Sequence, residues 1–244
     1  MIIDFSTLLY IISLLLTINL ITFMNTEKLV ILSLDDVLIN IKKLFSFVWT
    51  ENLEADFHVS ISPESFASRF FHLNALDIIR ELDNVYNIVI PKSYIIDQIN
   101  PTIQEMIVDH VVINEDDILS AENLKTGSYK IAAYTKLNTP AVQAILNELD
   151  LTNNINYIHK ISPNGLRTRN INDICKQTNT NKSDAVLVTP NISDIKFANI
   201  AKVSSMGVLE HHELIHVKNA IKKATSRTIN SNTTLRAHLA AHFR

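Results

Sequence analysis

The chain has 244 residues, of which 47% are hydrophobic, so it can bury a sizeable core and is not a disordered polymer. Its 22 basic and 25 acidic side chains give a formal net charge of -3, which argues against a nucleic-acid partner. Three scattered glycines, Gly127, Gly165 and Gly207, exclude a Walker loop or a dinucleotide-binding fingerprint. A single cysteine, Cys175, excludes an internal disulfide and suits a reducing compartment such as the cytoplasm.

Residues 1–24 form an apolar leader that has two interpretations. Residues 5–24 carry no charge and are about as long as a bilayer-spanning helix, which predicts a transmembrane anchor. No basic residue precedes this run, so it is not typical of a secretory signal. The four residues before the first predicted strand span about 14 Å at most, which would press that strand against a membrane. The alternative is a misassigned start, with translation from Met24 and a cytoplasmic protein.

Short apolar runs recur along the rest of the chain and predict strands buried in a parallel sheet. These runs are Leu29 to Leu34, Tyr129 to Thr135, Asn156 to Ile161, Asp184 to Thr189 and Val203 to Leu209. Helical patterns separate the later runs, beginning at Thr139-Pro140 and continuing at 169–177, 193–200 and 210–225. The alternation predicts an α/β fold with a Rossmann-like, doubly wound parallel sheet, whose ligands bind beyond the carboxyl ends of the strands.

Residues 41–117 interrupt this alternation and predict a mostly helical cap inserted after the first strand. Ser62-Pro63 and Asn100-Pro101 each have the pattern of a helix start, whereas residues 85–90 have the pattern of a strand. Residues 235–243 predict a short amphipathic helix in the tail. The predicted organisation is therefore a leader at 1–24, a core of 25–40 and 118–225, a cap at 41–117 and a tail helix within 226–244.

The first predicted strand and the residues after it resemble a known catalytic motif. Leu29 to Leu38 ends in Ser-Leu-Asp-Asp-Val-Leu. It resembles the first motif of the haloacid dehalogenase-like hydrolases, an apolar strand followed by Asp-x-Asp-Gly-Thr/Val-Leu. Asp35 matches the second Asp of that motif. Ser33 occupies the position of the first Asp, and Asp36 occupies that of the Gly.

Two later segments extend the resemblance in the same order as in that family. Leu124 to Thr135 is similar to the second motif, a Gly turn and a strand ending in Ser or Thr, and Thr135 matches the final residue. Asp184 to Ala198 is similar to the fourth motif, a strand followed by Gly-Asp-x-x-x-Asp. Pro190 occupies the position of its first acid, and Asp194 matches the second.

The resemblance implies roles for these positions. In that family the first Asp forms a covalent intermediate, the second is general acid and base, and Mg²⁺ sits on carboxylates of the first and fourth motifs. It implies Asp35 and Thr135 as catalytic residues, with Ser33 at the nucleophile position, and Asp35 and Asp194 as weak magnesium ligands. The candidate binding residues are Asp194, Asp36 and Arg167, with Lys160 as an alternative to Arg167 for the cation of the third motif.

The replacements at Ser33 and Pro190 predict a degenerate site. A serine hydroxyl without an adjacent base is a weak nucleophile, and a proline offers no side-chain oxygen to Mg²⁺. The main hypothesis is a pseudophosphatase with a binding or regulatory role toward a small phosphorylated ligand or a protein partner. The alternative is an active magnesium-dependent phosphomonoester phosphatase in which Asp35 or Asp36 performs the chemistry.

A second pattern belongs to another class of protein. His212-Glu213-Leu214-Ile215-His216 matches the His-Glu-x-x-His sequence of zinc peptidases, in which helical spacing places two imidazoles on one face. A third ligand would come from His238 or His242. The same segment also suits an ordinary helix after the last core strand, with Leu214 and Val217 as apolar positions. A zinc peptidase is therefore a remote alternative.

Overall fold

A computed structural model of the protein describes residues 27–39, 41–71, 73, 75–109, 122, 124, 129–162, 165–209, 214–230 and 234–243. The predicted leader at 1–24 lies outside these residues. Within the described ranges, no helix combines the length and the apolar character that crossing a membrane requires.

The described residues contain a six-stranded sheet in the order β3-β2-β1-β4-β5-β6. Its strands are β1 Leu29–Ser33, β2 Lys130–Thr135, β3 Tyr157–Lys160, β4 Ala185–Thr189, β5 Ser204–Val208 and β6 Thr228–Ile229. Every pairing between neighbours is parallel. The predicted α/β class and doubly wound parallel sheet are confirmed, and the five apolar runs correspond to β1–β5. The two-residue β6 was not predicted, because residues 226–234 are mostly polar.

Helices cover both faces of the sheet, which explains why its central strands are apolar throughout. After β2 the helices are α5 Thr139–Glu148, α6 Thr168–Gln177, α7 Ile192–Ala201, α8 Ile215–Ala224 and α9 Leu235–His242. One face packs Val30 and Leu32 of β1 against residues of α5 and α9. The other face packs Leu29 and Ile31 against α6 and α7. The predicted tail helix matches α9, and the described part of the predicted 210–225 helix is α8.

The residues between β1 and β2 are mainly helical. The helices are α1 Lys42–Phe57, α2 Pro63–Phe70, α3 Ala75–Tyr86 and α4, which runs as Lys92–Tyr94, a π-helical Ile95–Ile99 and Asn100–Asp109. Ser62 caps α2 as its sequence predicts, since its hydroxyl accepts a hydrogen bond from the Ser65 amide at 3.2 Å. The helix expected to begin at Asn100 already begins at Lys92, and Asn100 continues it.

The strand predicted at residues 85–90 is wrong. Val85 and Tyr86 belong to α3, which ends before Asn87 because that residue has a positive φ of 54°. Ile90 is buried, whereas Val89 is 80% exposed, and the segment joins no sheet among the described residues. The apolar pattern therefore comes from the end of α3 and from Ile88 and Ile90, which pack on the core from an irregular connection.

Candidate functional site

A cavity of about 240 Å³ lies at the carboxyl edge of the sheet, where β1, β2 and β4 end. Ser33 at the end of β1 is in register with Tyr134 near the end of β2. The cavity also contacts the loop after β3 and the first turns of α7. Its polar lining consists of Ser33, Asp35, Tyr134, Lys136, Arg167, Asn191, Ser193, Asp194 and Lys196. The structure therefore brings Ser33, Asp35, Arg167 and Asp194 together, as the sequence motifs imply.

Asp35 reaches the cavity from a π-helical turn, Leu34–Leu38, that follows β1 directly. The Asp35 side chain is 4% exposed, and its Oδ2 accepts a long hydrogen bond of 3.5 Å from the Lys136 amide. Ser33, two residues earlier at the end of β1, is 1% exposed. The predicted binding residue Asp36 belongs to the same turn, but its side chain lies outside the described part. Asp35 is thus a buried carboxylate between the ends of β1 and β2.

Asp194 lies in the first turn of α7 and is 5% exposed. The Tyr134 hydroxyl donates a hydrogen bond of 2.8 Å to Asp194 Oδ2, and the Thr189 hydroxyl donates another of 3.3 Å to the same oxygen. The Asn191 amide donates to the Thr189 oxygen at 3.1 Å and holds it in place. A buried carboxylate requires such donors, and the start of a helix favours its charge. One oxygen of Asp194 is therefore already bound by side chains of the chain itself.

Thr135 stands at the end of β2, where the second motif places it, and it is buried. Its hydroxyl oxygen accepts a hydrogen bond of 3.0 Å from the Leu137 amide. Thr135 is not among the described residues that line the cavity. In this geometry the Thr135 side chain shapes the turn after β2, while the neighbouring Tyr134 and Lys136 face the cavity.

Three cationic side chains line the cavity, and the sequence motifs indicated only one of them. The Arg167 guanidinium lies 4.9 Å from the centre of the Phe197 ring, a cation–π distance, and its own backbone amide is capped by Asn170. Lys136 and Lys196 also line the cavity, whereas Lys160, the alternative to Arg167, is exposed and does not. Lys136 follows Thr135 directly, and Lys196 lies two residues after Asp194. Their closeness to these motif residues in the sequence could have indicated that both lysines line the cavity.

The donor set fits Mg²⁺ poorly. Mg²⁺ prefers six oxygen ligands in an octahedral arrangement. The described lining offers two carboxylates, Asp35 and Asp194, and one oxygen of Asp194 accepts two hydroxyl hydrogen bonds. Pro190, between β4 and α7, adds no side-chain oxygen. Neither here nor elsewhere in the described ranges do three or more His, Cys, Asp or Glu side chains converge as metal ligands.

The zinc-peptidase pattern lies only partly within the described residues. His212 and Glu213 are outside them, whereas His216 lies on α8. His238 and His242, the residues considered as a third ligand, lie on α9. The described part of the chain therefore adds no geometric support to a zinc centre.

The strand order, the helical insertion after β1 and the buried carboxylate that follows β1 define an α/β protein with a Rossmann-like parallel sheet and a pocket at its carboxyl edge. The family model described as haloacid dehalogenase-like hydrolase matches residues 30–208, and the chain belongs to this family. No curated protein matches the chain by sequence.

Solved structures with the same fold are distant in sequence. A conserved haloacid dehalogenase-like protein of unknown function from Agrobacterium tumefaciens has a TM-score of 0.72 at 17% identity, covering 89% of this chain and 100% of its own. A HAD family hydrolase from Deinococcus radiodurans, with bound phosphate and sodium, has a TM-score of 0.65 at 16% identity, covering 89% and 96%. CbbY from Rhodobacter sphaeroides, in complex with phosphate, has a TM-score of 0.62 at 11% identity, covering 86% and 96%. At these identities the likeness concerns the fold alone.

Proposed function

We propose that this protein is a catalytically degenerate haloacid dehalogenase-like protein that binds a small phosphorylated molecule without hydrolysing it. The observation that carries the proposal is the hydrogen bond between Tyr134 and Asp194 in the cavity. This bond engages one of the two carboxylates that could hold a cation.

The nucleophile position supports the same conclusion. Ser33 lies where the family's first Asp stands, and a serine hydroxyl attacks only when a base activates it. Histidine is the usual activating base, and the cavity has none among its described lining residues. An acyl-phosphate intermediate cannot form on a serine side chain, so the family's usual first step is lost at this position.

The cavity nevertheless suits a phosphate group. Lys136, Arg167 and Lys196 supply three positive charges against the two carboxylates Asp35 and Asp194. Asn191 and Ser193, at the start of α7, add neutral polar groups to the same lining. Charge-assisted hydrogen bonds from Lys and Arg are the strong contacts to phosphate oxygens. The phosphate named for the Deinococcus radiodurans and Rhodobacter sphaeroides proteins agrees with this ligand class.

The test is a phosphatase assay over a broad panel of phosphomonoesters with Mg²⁺, comparing the native chain with Ser33→Asp. We expect no turnover by the native protein and a gain of Mg²⁺ binding in Ser33→Asp, because the variant restores a third carboxylate. Ser65→Asp, which adds the same charge on α2 away from the cavity, is the matched control and should bind no additional Mg²⁺.

The second candidate is an active phosphatase that depends on Asp35. Its supporting observation is that Asp35 is buried at the cavity and positioned by the turn after β1. A general acid or base needs such a fixed position near the reacting group. Turnover by the native chain that disappears in Asp35→Asn, but persists in Asp97→Asn on α4, would establish this second function and overturn the first.

A further inference from the structure

An open pocket of about 510 Å³ lies at the opposite, amino edge of the sheet, where β5 and β6 begin. We call it the amino-edge pocket, and it is lined by Asn199, residues 202–205, residues 224–227 and His242. These residues belong to the end of α7, the start of β5, the connection from α8 to β6, and the end of α9. The pocket shares no lining residue with the cavity at the carboxyl edge.

The ionisable side chains that line the described part of the amino-edge pocket are all basic. Lys202, Arg227 and His242 line it, and none of its described lining residues is a carboxylate. Ser204 and Ser226 add hydroxyl groups that can donate hydrogen bonds. A concave site that combines several cations with hydroxyl donors matches an anion with several oxygen acceptors. Its volume exceeds that of the carboxyl-edge cavity, so it has room for an organic group beside the anion.

His242 contributes an imidazole ring to the lining of the pocket. Its Nδ1 atom is buried and makes no hydrogen bond to any described residue. Burial lowers the pKa of His242, and the positive charges of Arg227 and Lys28 lower it further. Lys28 itself is paired with Asp184 at 2.5 Å, so its charge is largely offset. An anion bound in the pocket would offset the positive charge that lies beside this ring.

Two hydrogen bonds join the walls of the pocket, and neither involves the side chain of Lys202, Arg227 or His242. The Thr225 hydroxyl donates a hydrogen bond of 2.7 Å to the Ser205 carbonyl, and the Asn199 side chain donates one of 3.1 Å to the Ala224 carbonyl. Lys202 also ends α7, where a cation offsets the helix dipole. That role accounts for Lys202 but not for Arg227 and His242, which come from other elements.

From these observations we infer that the amino-edge pocket binds a phosphate-bearing small molecule through Lys202, Arg227 and His242. This site is separate from the carboxyl-edge cavity, and the inference does not depend on the function proposed for that cavity. The ligand's phosphate oxygens would accept hydrogen bonds from the two cations and from the His242 ring, while its organic part would occupy the remaining volume.

The histidine ring signals of the full chain, followed by NMR, provide a local test. The His242 signal is assigned by its absence in His242→Gln. Inorganic phosphate is then added at constant pH and constant ionic strength, with sodium chloride as the balancing salt. We expect a saturable shift of the His242 signal, and an apparent dissociation constant about tenfold higher in Arg227→Gln and in Lys202→Gln, since each variant loses one charge-assisted contact.

Two variants serve as matched controls. Lys223→Gln removes an exposed cation of α8 that does not line the pocket, and Arg167→Gln removes a cation of the carboxyl-edge cavity. Both should leave the His242 titration unchanged. A His242 shift that does not saturate, or one that is equal in Arg227→Gln and the native chain, overturns the inference. A shift that is weakened by Arg167→Gln instead assigns the phosphate to the other edge and overturns it as well.

A second measurement uses sulfate, whose charge is constant between about pH 5 and 8, so that only the protein titrates. A bound dianion beside the imidazole favours its protonated form, and we expect sulfate to raise the pKa of His242 toward its ordinary value. An unchanged His242 pKa in saturating sulfate contradicts binding at this site.

Discussion

The two edges of the sheet differ in chemistry although they belong to the same six strands. At the carboxyl edge, Asp35 and Asp194 are buried among hydroxyls and cations. At the amino edge, Lys202, Arg227 and His242 line a pocket whose described lining has no carboxylate. Because all the strands are parallel, every strand begins at one edge and ends at the other, so each edge collects a different set of loops. The fold thereby places two pockets with no described lining residue in common at opposite edges of the sheet.

The edges also differ in their relation to the family. The family model matches residues 30–208, which include the residues of the carboxyl-edge cavity. Residues 224–227 and His242 of the amino-edge pocket lie beyond that match. The carboxyl-edge cavity therefore lies within the matched segment, whereas half of the amino-edge pocket comes from the part of the chain after it.

The largest loss of stability is expected for Leu32→Ala. Leu32 lies in β1 and packs in the hydrophobic core cluster that also contains Leu235 and Leu239 of α9. Removing a fully buried leucine side chain should lower the free energy of unfolding by about 2–5 kcal/mol. Urea unfolding checks the value, with the 80% exposed Val89→Ala as the control of small effect. An unfolding free energy of Leu32→Ala that is no lower than that of Val89→Ala would contradict this expectation.

Gly207→Ala should affect the amino edge selectively. A Cβ at Gly207 would lie 2.3 Å from Ile221 Cγ2 and 3.2 Å from Thr225 Cγ2, so α8 must move away from β5. Overpacking of this kind costs about 1–3 kcal/mol. We expect a loss of the His242 response to phosphate, measured by NMR, with the carboxyl-edge cavity retained. An unchanged stability and an unchanged His242 response would show that the helix accommodates the methyl group.

Tyr134→Phe should affect the carboxyl edge selectively. It removes the hydrogen bond of 2.8 Å to Asp194, which should lower stability by about 1.5 kcal/mol, as for other bonds to charged groups. Because Asp194 Oδ2 loses one of its hydroxyl donors, we also expect tighter Mg²⁺ binding, measured by calorimetry. Tyr157→Phe on β3 is the matched control. Equal Mg²⁺ affinity in both variants would mean that the tyrosine hydroxyl does not compete with a cation.

The smallest expected effect is on the pH dependence of stability, through His242 at the amino edge. The pKa of His242 is lowered in the folded state, first by burial and then by Arg227 and Lys28. The unfolded chain therefore binds more protons at this site, and stability falls as the pH drops from about 6.5 through the folded pKa. Arg227→Gln should raise the folded pKa of His242 and reduce this acid sensitivity. Ring NMR titrations check the pKa, and Lys223→Gln should leave it unchanged.

The sheet and the positions of the motif residues could be predicted from the amino-acid sequence. Continuous apolar runs indicate strands that are buried on both faces of a sheet. In the structure every residue of β1 is buried. The motif resemblance placed Ser33, Asp35 and Asp194 at the ends of such strands, and the structure brings all three to one cavity. The apolar character of a segment and the alternation of strand and helix patterns are local properties, which is why they can be recognised along the chain. Residues 85–90 show the limit, because a helix end followed by a connection with Ile88 and Ile90 packed on the core imitates strand alternation.

The side chains that come into contact at each edge could not be predicted from the sequence, because their contacts depend on the tertiary structure. Tyr134 and Asp194 are 60 residues apart, and their hydrogen bond exists because β1 lies between β2 and β4 and the strand ends converge at one edge. His242 and Arg227 likewise meet because α9 returns to the amino edge beside β6. No periodicity in the sequence encodes such contacts, since they depend on strand order and on the path of the connections. The fold could thus be predicted from the apolar runs in the sequence. The side-chain contacts at both edges of the sheet depend on long-range packing.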